Sequence, residues 1–127
     1  MMINHPDIGF CLQFKTQRLL IEFQSQKLDE YLCDHMKIFV MQFWRLFDLP
    51  IMITSIIRDD SEAHKNGKAI DIRCKYFSAD VVAWILNYWL ERFPRQQRLM
   101  KHGVPYIARS AYAHDSGQGF HIHLSVD

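Results

Sequence analysis

Two short stretches in which apolar and polar residues alternate restrict the fold of this chain more than any other feature. In the stretch 68–74 the apolar set is Ile70, Ile72 and Cys74, and the intervening set is Ala69, Asp71 and Arg73. In the stretch 120–126, Phe120, Ile122, Leu124 and Val126 alternate with His121, His123 and Ser125. Successive side chains of a strand point to opposite faces, so each stretch predicts a strand with one apolar and one polar face.

Helices that could cover the apolar face are indicated by apolar residues that recur every three or four positions. The clearest run consists of Leu28, Leu32, Met36, Phe39, Val40, Phe43, Trp44 and Phe47. We expect this helix to end at Leu49-Pro50, because proline cannot continue a helix. A second helix is predicted from an N-cap at Ser78 to Phe93, followed by Pro94.

The remaining segments complete a mixed pattern of helices and strands. The β-branched run 51–57 predicts a strand, 13–24 could be helical or extended, and 95–103 reads as a surface connection. The predicted fold class is therefore α+β: an antiparallel β-sheet with helices packed on one face and a site on the open face.

The end of the chain predicts a hairpin whose register the sequence leaves open. Residues 104–127 would form two strands joined by a turn at 115–119. A one-residue slip exchanges the two faces of a strand. A five-residue loop would therefore put these residues beside the histidines: Arg109, Ala111 and Ala113. A four-residue loop would put these there instead: Tyr112 and His114.

Bulk properties predict one soluble, monomeric domain. The 127 residues suffice for a single core, with a helical N-terminal part over 1–50 and the sheet and motifs over 51–127. A net charge of +1 without a basic run disfavours nucleic acid and membrane partners. Three separated cysteines suggest neither a disulfide framework nor a metal knuckle. No secretory signal is recognised, so we expect synthesis in the cytoplasm.

The polar face of the two alternating strands carries residues that can bind a metal. Asp71, His121 and His123 share that face, and His64 lies in the loop that leads into the Asp71 strand. Two histidines and a carboxylate, with a fourth position left for water, are typical of catalytic zinc. One histidine of a His-x-His pair can bind the metal while its neighbour handles a proton. The other histidines are interpreted as ordinary surface or hydrogen-bonded residues: His5, His35 and His102.

At these residues the sequence resembles the Hedgehog/D-Ala-D-Ala peptidase superfamily, especially the zinc D-alanyl-D-alanine carboxypeptidases and related phage and bacterial peptidoglycan peptidases. The similarity lies in SIIRDDSEAHKNGKAIDIR (55–73) and GFHIHLSVD (119–127), and His64, Gly67, Ala69 and Asp71 match the family's central His-x-x-Gly-x-Ala-x-Asp block. The resemblance implies that one Zn²⁺ is bound by His64, Asp71 and His123. It also implies that His121 is the general base and that Arg58 binds or polarises the substrate.

The function implied by the resemblance is hydrolysis of a peptidoglycan stem-peptide bond that involves a D-amino acid. Both a carboxypeptidase and an endopeptidase fit the motif. Such a chain would reach the cell wall if it were phage-encoded, by release at lysis or by delivery at infection.

Two other functions compete with this one. A domain of the same fold could bind zinc or a partner without catalysis. His121-Ile122-His123 is also the metal motif of some nucleases, but these need a nucleophilic tyrosine, which usually lies on a downstream helix, and a basic surface. The chain ends four residues after His123, and its upstream tyrosines lack a companion lysine on a helical turn.

Overall fold

The computed structural model describes residues 2–58, 62–94, 96–115 and 120–126. The strands are β1 (Ile3–Asn4), β2 (Leu12–Phe14), β3 (Ile51–Ser55), β4 (Ala69–Arg73), β5 (Gln96–Lys101), β6 (Val104–Arg109), β7 (Ala111–Asp115) and β8 (Phe120–Ser125). The helices are α1 (Gln17–Phe23), α2 (Glu30–Phe47), α3 (Glu62–Lys65) and α4 (Ala79–Arg92). The predicted α+β class is confirmed.

The main sheet is mixed, which corrects the prediction of a wholly antiparallel one. Its six strands run in the order β1-β2-β3-β4-β8-β7. All neighbours are antiparallel except β2 and β3, which pair in parallel from Leu12 opposite Ile51 to Phe14 opposite Ile53. Parallel neighbours need a long crossover connection, and α1 and α2 supply it between these two strands.

One continuous core joins the longer helices to one face of this sheet. Buried residues of α1, α2 and α4 pack in a single cluster with the apolar residues of the strands, among them Ile53, Ile70, Ile72, Ile122 and Leu124. The apolar face predicted for β4 is thereby confirmed, and that of β8 is confirmed from Ile122 onward, whereas Phe120 is 43% exposed. The helix α3 is the exception among the helices, since it carries His64 to the polar residues of β4.

Local capping accounts for where the long helices begin and end. The Asp29 side chain accepts a hydrogen bond from the N–H of Leu32 at the start of α2, and Ser78 does the same for Val81 at the start of α4. Such caps satisfy N–H groups that have no partner within the helix. At the other end of α2, Asp48 adopts the left-handed conformation with φ 55°.

No helix in the described part of the chain has the length and hydropathy needed to span a bilayer.

Two sequence predictions near the C-terminal end are corrected or sharpened. The segment 96–101 is not a surface connection but the strand β5, which pairs with β6 in a separate two-stranded sheet. The last hairpin is formed by β7 and β8, with Asp115 opposite Phe120. Four residues therefore separate the paired ends, which is the shorter of the two loops considered. Residues 116–119 of the predicted turn lie outside the described residues.

Candidate metal centre

Asp71 is a buried carboxylate that is held by three partners. It lies on β4 directly opposite His123 of β8, and its side chain is 1% exposed. Its Oδ1 is 3.2 Å from His64 Nε2 and 3.2 Å from His123 Nδ1. Its Oδ2 accepts a hydrogen bond of 2.8 Å from Arg58 Nη1. Burying a charged group is costly unless it is paired, and here both oxygens are paired.

The environment of Asp71 keeps the carboxylate ionised. Burial alone would raise its pKa, but the hydrogen bond of His123 and the contact and charge of His64 outweigh burial and hold the pKa of Asp71 well below its ordinary range. An ionised carboxylate is an acceptor and also a hard metal ligand. Asp71 is therefore ready to bind a cation at neutral pH.

His64 has its tautomer set by the backbone. Its Nδ1 lies 2.7 Å from the carbonyl oxygen of Ile56, and a carbonyl only accepts, so Nδ1 carries the proton. In the neutral ring Nε2 then carries a lone pair, and this lone pair faces Asp71 Oδ1, which is also an acceptor. Two acceptors at this distance require a positive charge between them, either a proton on Nε2 or a metal ion. Anchoring of the second ring nitrogen by a carbonyl is the arrangement usual for metal-binding histidines.

Gly67 positions the His64 turn by a close backbone contact. It has φ 69°, and a Cβ at this position would lie 1.9 Å from the carbonyl oxygen of Lys27. Its carbonyl accepts a hydrogen bond from Asp29 N–H, and its own N–H donates to the His64 carbonyl. Gly67 is thus needed where the chain crosses the α1–α2 connection. Only glycine combines this conformation with this approach.

Arg58 lies on the outer side of Asp71. Its Nη1 donates to Asp71 Oδ2 at 2.8 Å and to Ser55 Oγ at 3.3 Å, and its side chain is 34% exposed. The resemblance assigned Arg58 to substrate, whereas the contact found here is with a candidate metal ligand. A guanidinium can hold the Asp71 carboxylate and bind a substrate at the same time, because its donors point in several directions.

His121 and two residues of β7 extend the row of polar side chains. His121 Nε2 is 3.8 Å from Asp71 Oδ2, and the side chain is 12% exposed. The register places Tyr112 opposite His123 and His114 opposite His121. The Tyr112 ring stacks on His123 with centroids 4.8 Å apart. Of the two alternatives considered for β7, the one with Tyr112 and His114 beside the histidines is therefore found.

The other residues of those alternatives lie elsewhere. Ala111 is buried in the core, and Arg109 ends β6 in the separate two-stranded sheet.

The remaining histidines behave as ordinary residues where their contacts are described. His5 is buried, and its Nδ1 accepts the N–H of Asp7, while the His35 ring packs on Tyr31.

The donor set of this centre fits a metal ion. His64, Asp71 and His123 are all buried, and one donor atom from each lies within 4.8 Å of the other two. Two imidazoles and a carboxylate suit zinc and its first-row neighbours better than Mg²⁺ or Ca²⁺, which prefer oxygen alone. The site is more enclosed than the open face that the sequence predicted, since His64 is 0% exposed.

Two contributors to the centre were not identified from the sequence. The Ile56 carbonyl is a backbone group, which leaves no mark in the residue pattern. Ser55 is an ordinary strand residue, and only the bulge that shifts the β3–β4 register between Ile53 and Ser55 distinguishes its position.

A separate cavity of about 680 Å³ lies beside the α1–α2 connection. Residues that line it include His5, Lys27, Asp29, Cys33 and Asn66, and none of the predicted metal or catalytic residues does.

Comparisons of the chain with protein-family models, with curated proteins and with solved structures found no match.

Proposed function

We propose that this protein is a zinc-dependent peptidase that hydrolyses a peptidoglycan stem-peptide bond involving a D-amino acid. The observation that carries the proposal is the buried trio of His64, Asp71 and His123, in which the Ile56 carbonyl directs the His64 lone pair at Asp71. The resemblance of residues 55–73 and 119–127 to the Hedgehog/D-Ala-D-Ala peptidase superfamily supplies the substrate class.

Each residue has a role that its position allows. His64, Asp71 and His123 would hold the ion, and Arg58 would orient the Asp71 carboxylate. A zinc ion bound there supplies a Lewis acid that polarises a carbonyl and lowers the pKa of water. His121 lies at the edge of the trio and is partly exposed, so its Nε2 would accept a proton from the attacking water. The same nitrogen would return that proton to the leaving amine.

Arg58 would contact the substrate through the exposed part of its side chain. Because its side chain is one-third exposed while Nη1 is held on Asp71, the outer edge of the guanidinium can meet a substrate carboxylate or a developing oxyanion. The residue would thus serve both the ligand and the substrate.

Purified zinc-loaded protein should be incubated with muropeptides and the products identified by mass spectrometry. Cleavage at a D-amino acid bond is expected. His121→Gln should lower kcat by about 10²–10⁴-fold, which is the usual contribution of a general base, with an unchanged zinc content. His102→Asn is the matched control, because it removes an exposed histidine and should not change kcat. Full activity of His121→Gln would refute the assignment of the base.

Burial of the trio favours a second candidate, a metal-binding domain of the same fold without catalysis. His64 and Asp71 are almost fully buried, and the described cavity of about 680 Å³ lies elsewhere. A structural zinc site is normally closed by four protein ligands. This candidate predicts that zinc raises stability while no stem peptide is cleaved by the loaded protein, which is the result that would overturn the peptidase proposal.

A further inference from the structure

His114 is a histidine whose place beside the centre follows from the register of β7 and β8. It pairs directly with His121, and the two rings meet edge to face with centroids 4.0 Å apart. Nothing in the proposed reaction uses it. Its Nε2 is nevertheless buried, and no group in the described part of the chain hydrogen-bonds to it. A buried polar atom of this kind is unfavourable without a partner, which points to a ligand.

Three donors converge at this position. One atom each from Asp71, His114 and His121 lies within 4.8 Å of the other two. The outer oxygen of Asp71 is 3.8 Å from His121 Nε2, and ligands around one tetrahedral zinc lie roughly 3.3 Å apart, given bonds of about 2.0–2.1 Å. Small rotations of the side chains would therefore suffice to bind an ion.

We propose that Asp71, His114 and His121 form a second, weaker site for a divalent transition-metal cation next to the first. Asp71 is shared, with Oδ1 turned to the first ion and Oδ2 to the second. Arg58 already donates to Oδ2 at 2.8 Å. The second cation would therefore be repelled by two positive neighbours, the Arg58 guanidinium and the first ion. At separations near 4 Å such repulsion is large, and we expect affinity for the second ion to be lower by at least roughly 100-fold.

The second site has a consequence for regulation that rests on the proposed function. A His121 nitrogen that binds a cation cannot accept a proton. Excess zinc would then inhibit the peptidase by occupying its general base. Binding of the second ion itself does not depend on catalysis and can be measured without any substrate.

Zinc titrations against a chromophoric chelator would test the site in the wild type, in His114→Phe and in the matched control His102→Asn. The wild type and His102→Asn should each bind one tight and one weaker equivalent. His114→Phe should keep the tight equivalent, which also reports that the variant is folded, and should lose the weaker one. A weaker equivalent that persists in His114→Phe, or only one equivalent in the wild type, would overturn the second site.

A spectroscopic measurement locates the second ion independently. In protein with ¹⁵N-labelled histidine, the second equivalent of zinc should shift the ring nitrogens of His114 and His121. Shifts confined to exposed histidines such as His102 would identify an adventitious ion only and refute the proposal. Failure of the tight equivalent to bind would instead contradict the proposed function, so the two proposals fail in different ways.

Discussion

Replacement of Gly67 by alanine tests how the chain holds His64 against Asp71. The substitution adds a Cβ at φ 69°, 1.9 Å from the Lys27 carbonyl oxygen. Ordinary van der Waals contact begins at 3.4 Å, so one backbone segment must move by about 1.5 Å. That movement breaks the hydrogen bond of 2.9 Å from Asp29 N–H to the Gly67 carbonyl, which ties the His64 turn to the start of α2.

The expected cost has two parts. The left-handed conformation costs a residue with a Cβ about 1–2 kcal/mol, and a broken buried hydrogen bond costs about 1–3 kcal/mol more. We therefore expect Gly67→Ala to lower the free energy of unfolding by about 2–5 kcal/mol, a large share of the total of about 5–15 kcal/mol for a domain.

The chain offers a matched control in Gly103. It also has a positive φ, 77°, but a Cβ there would meet nothing within 4 Å. Gly103→Ala should therefore show the conformational cost alone, about 1–2 kcal/mol at most. Urea unfolding of both metal-free variants measures the difference, and a zinc titration should show weaker binding only in Gly67→Ala. Equal destabilisation by the two substitutions would refute the claim of a close backbone contact.

Three further predictions concern the core, a helix cap and acid. Trp89→Phe should lower the free energy of unfolding by about 1–3 kcal/mol in urea, because the fully buried indole donates to the Ser125 carbonyl at 2.9 Å; an unchanged midpoint would contradict this. Ser78→Ala should lower the free energy of unfolding by about 1 kcal/mol in the same assay, because α4 loses its N-cap. Thr16→Ala, which removes the N-cap of α1, gives a second cap removal with which this loss is compared. The depressed pKa of Asp71 contributes stability that is present above the ordinary value of 3.8 and is lost as the pH falls below it. The free energy of unfolding of the metal-free protein, measured from pH 5 to pH 2, should therefore fall more steeply in the wild type than in Asp71→Asn. Parallel curves for the two proteins would count against the ion pairing of Asp71.

The parts of the fold that the sequence predicts are those with strong local periodicity. Alternation identified β4 and β8 and assigned Asp71, His121 and His123 to one face. Helical spacing identified α2 and α4, with boundaries within two residues at each end. These patterns arise because one face of each element is buried in the common core.

The parts that the sequence does not predict depend on distant pairing. β2 and β3 are parallel, yet more than thirty residues separate them, and nothing local indicates the direction of pairing. The segment 96–101 has no apolar alternation, and among the described residues its strand pairs with β6 outside the main sheet. The Ile56 carbonyl and the burial of His64 likewise result from how the turn packs, and not from residue type.

The central claim is that His64, Asp71 and His123 bind one zinc ion, and zinc X-ray absorption of protein loaded with one equivalent tests it most directly. The spectrum should show nitrogen and oxygen neighbours at about 2.0–2.2 Å, with two imidazoles and no sulfur. His123→Ala, made in the His114→Phe variant so that the second site cannot bind, should lose the ion, while His102→Asn should keep it. A sulfur shell at about 2.3 Å, or an imidazole signal that survives in the double variant, would contradict the account.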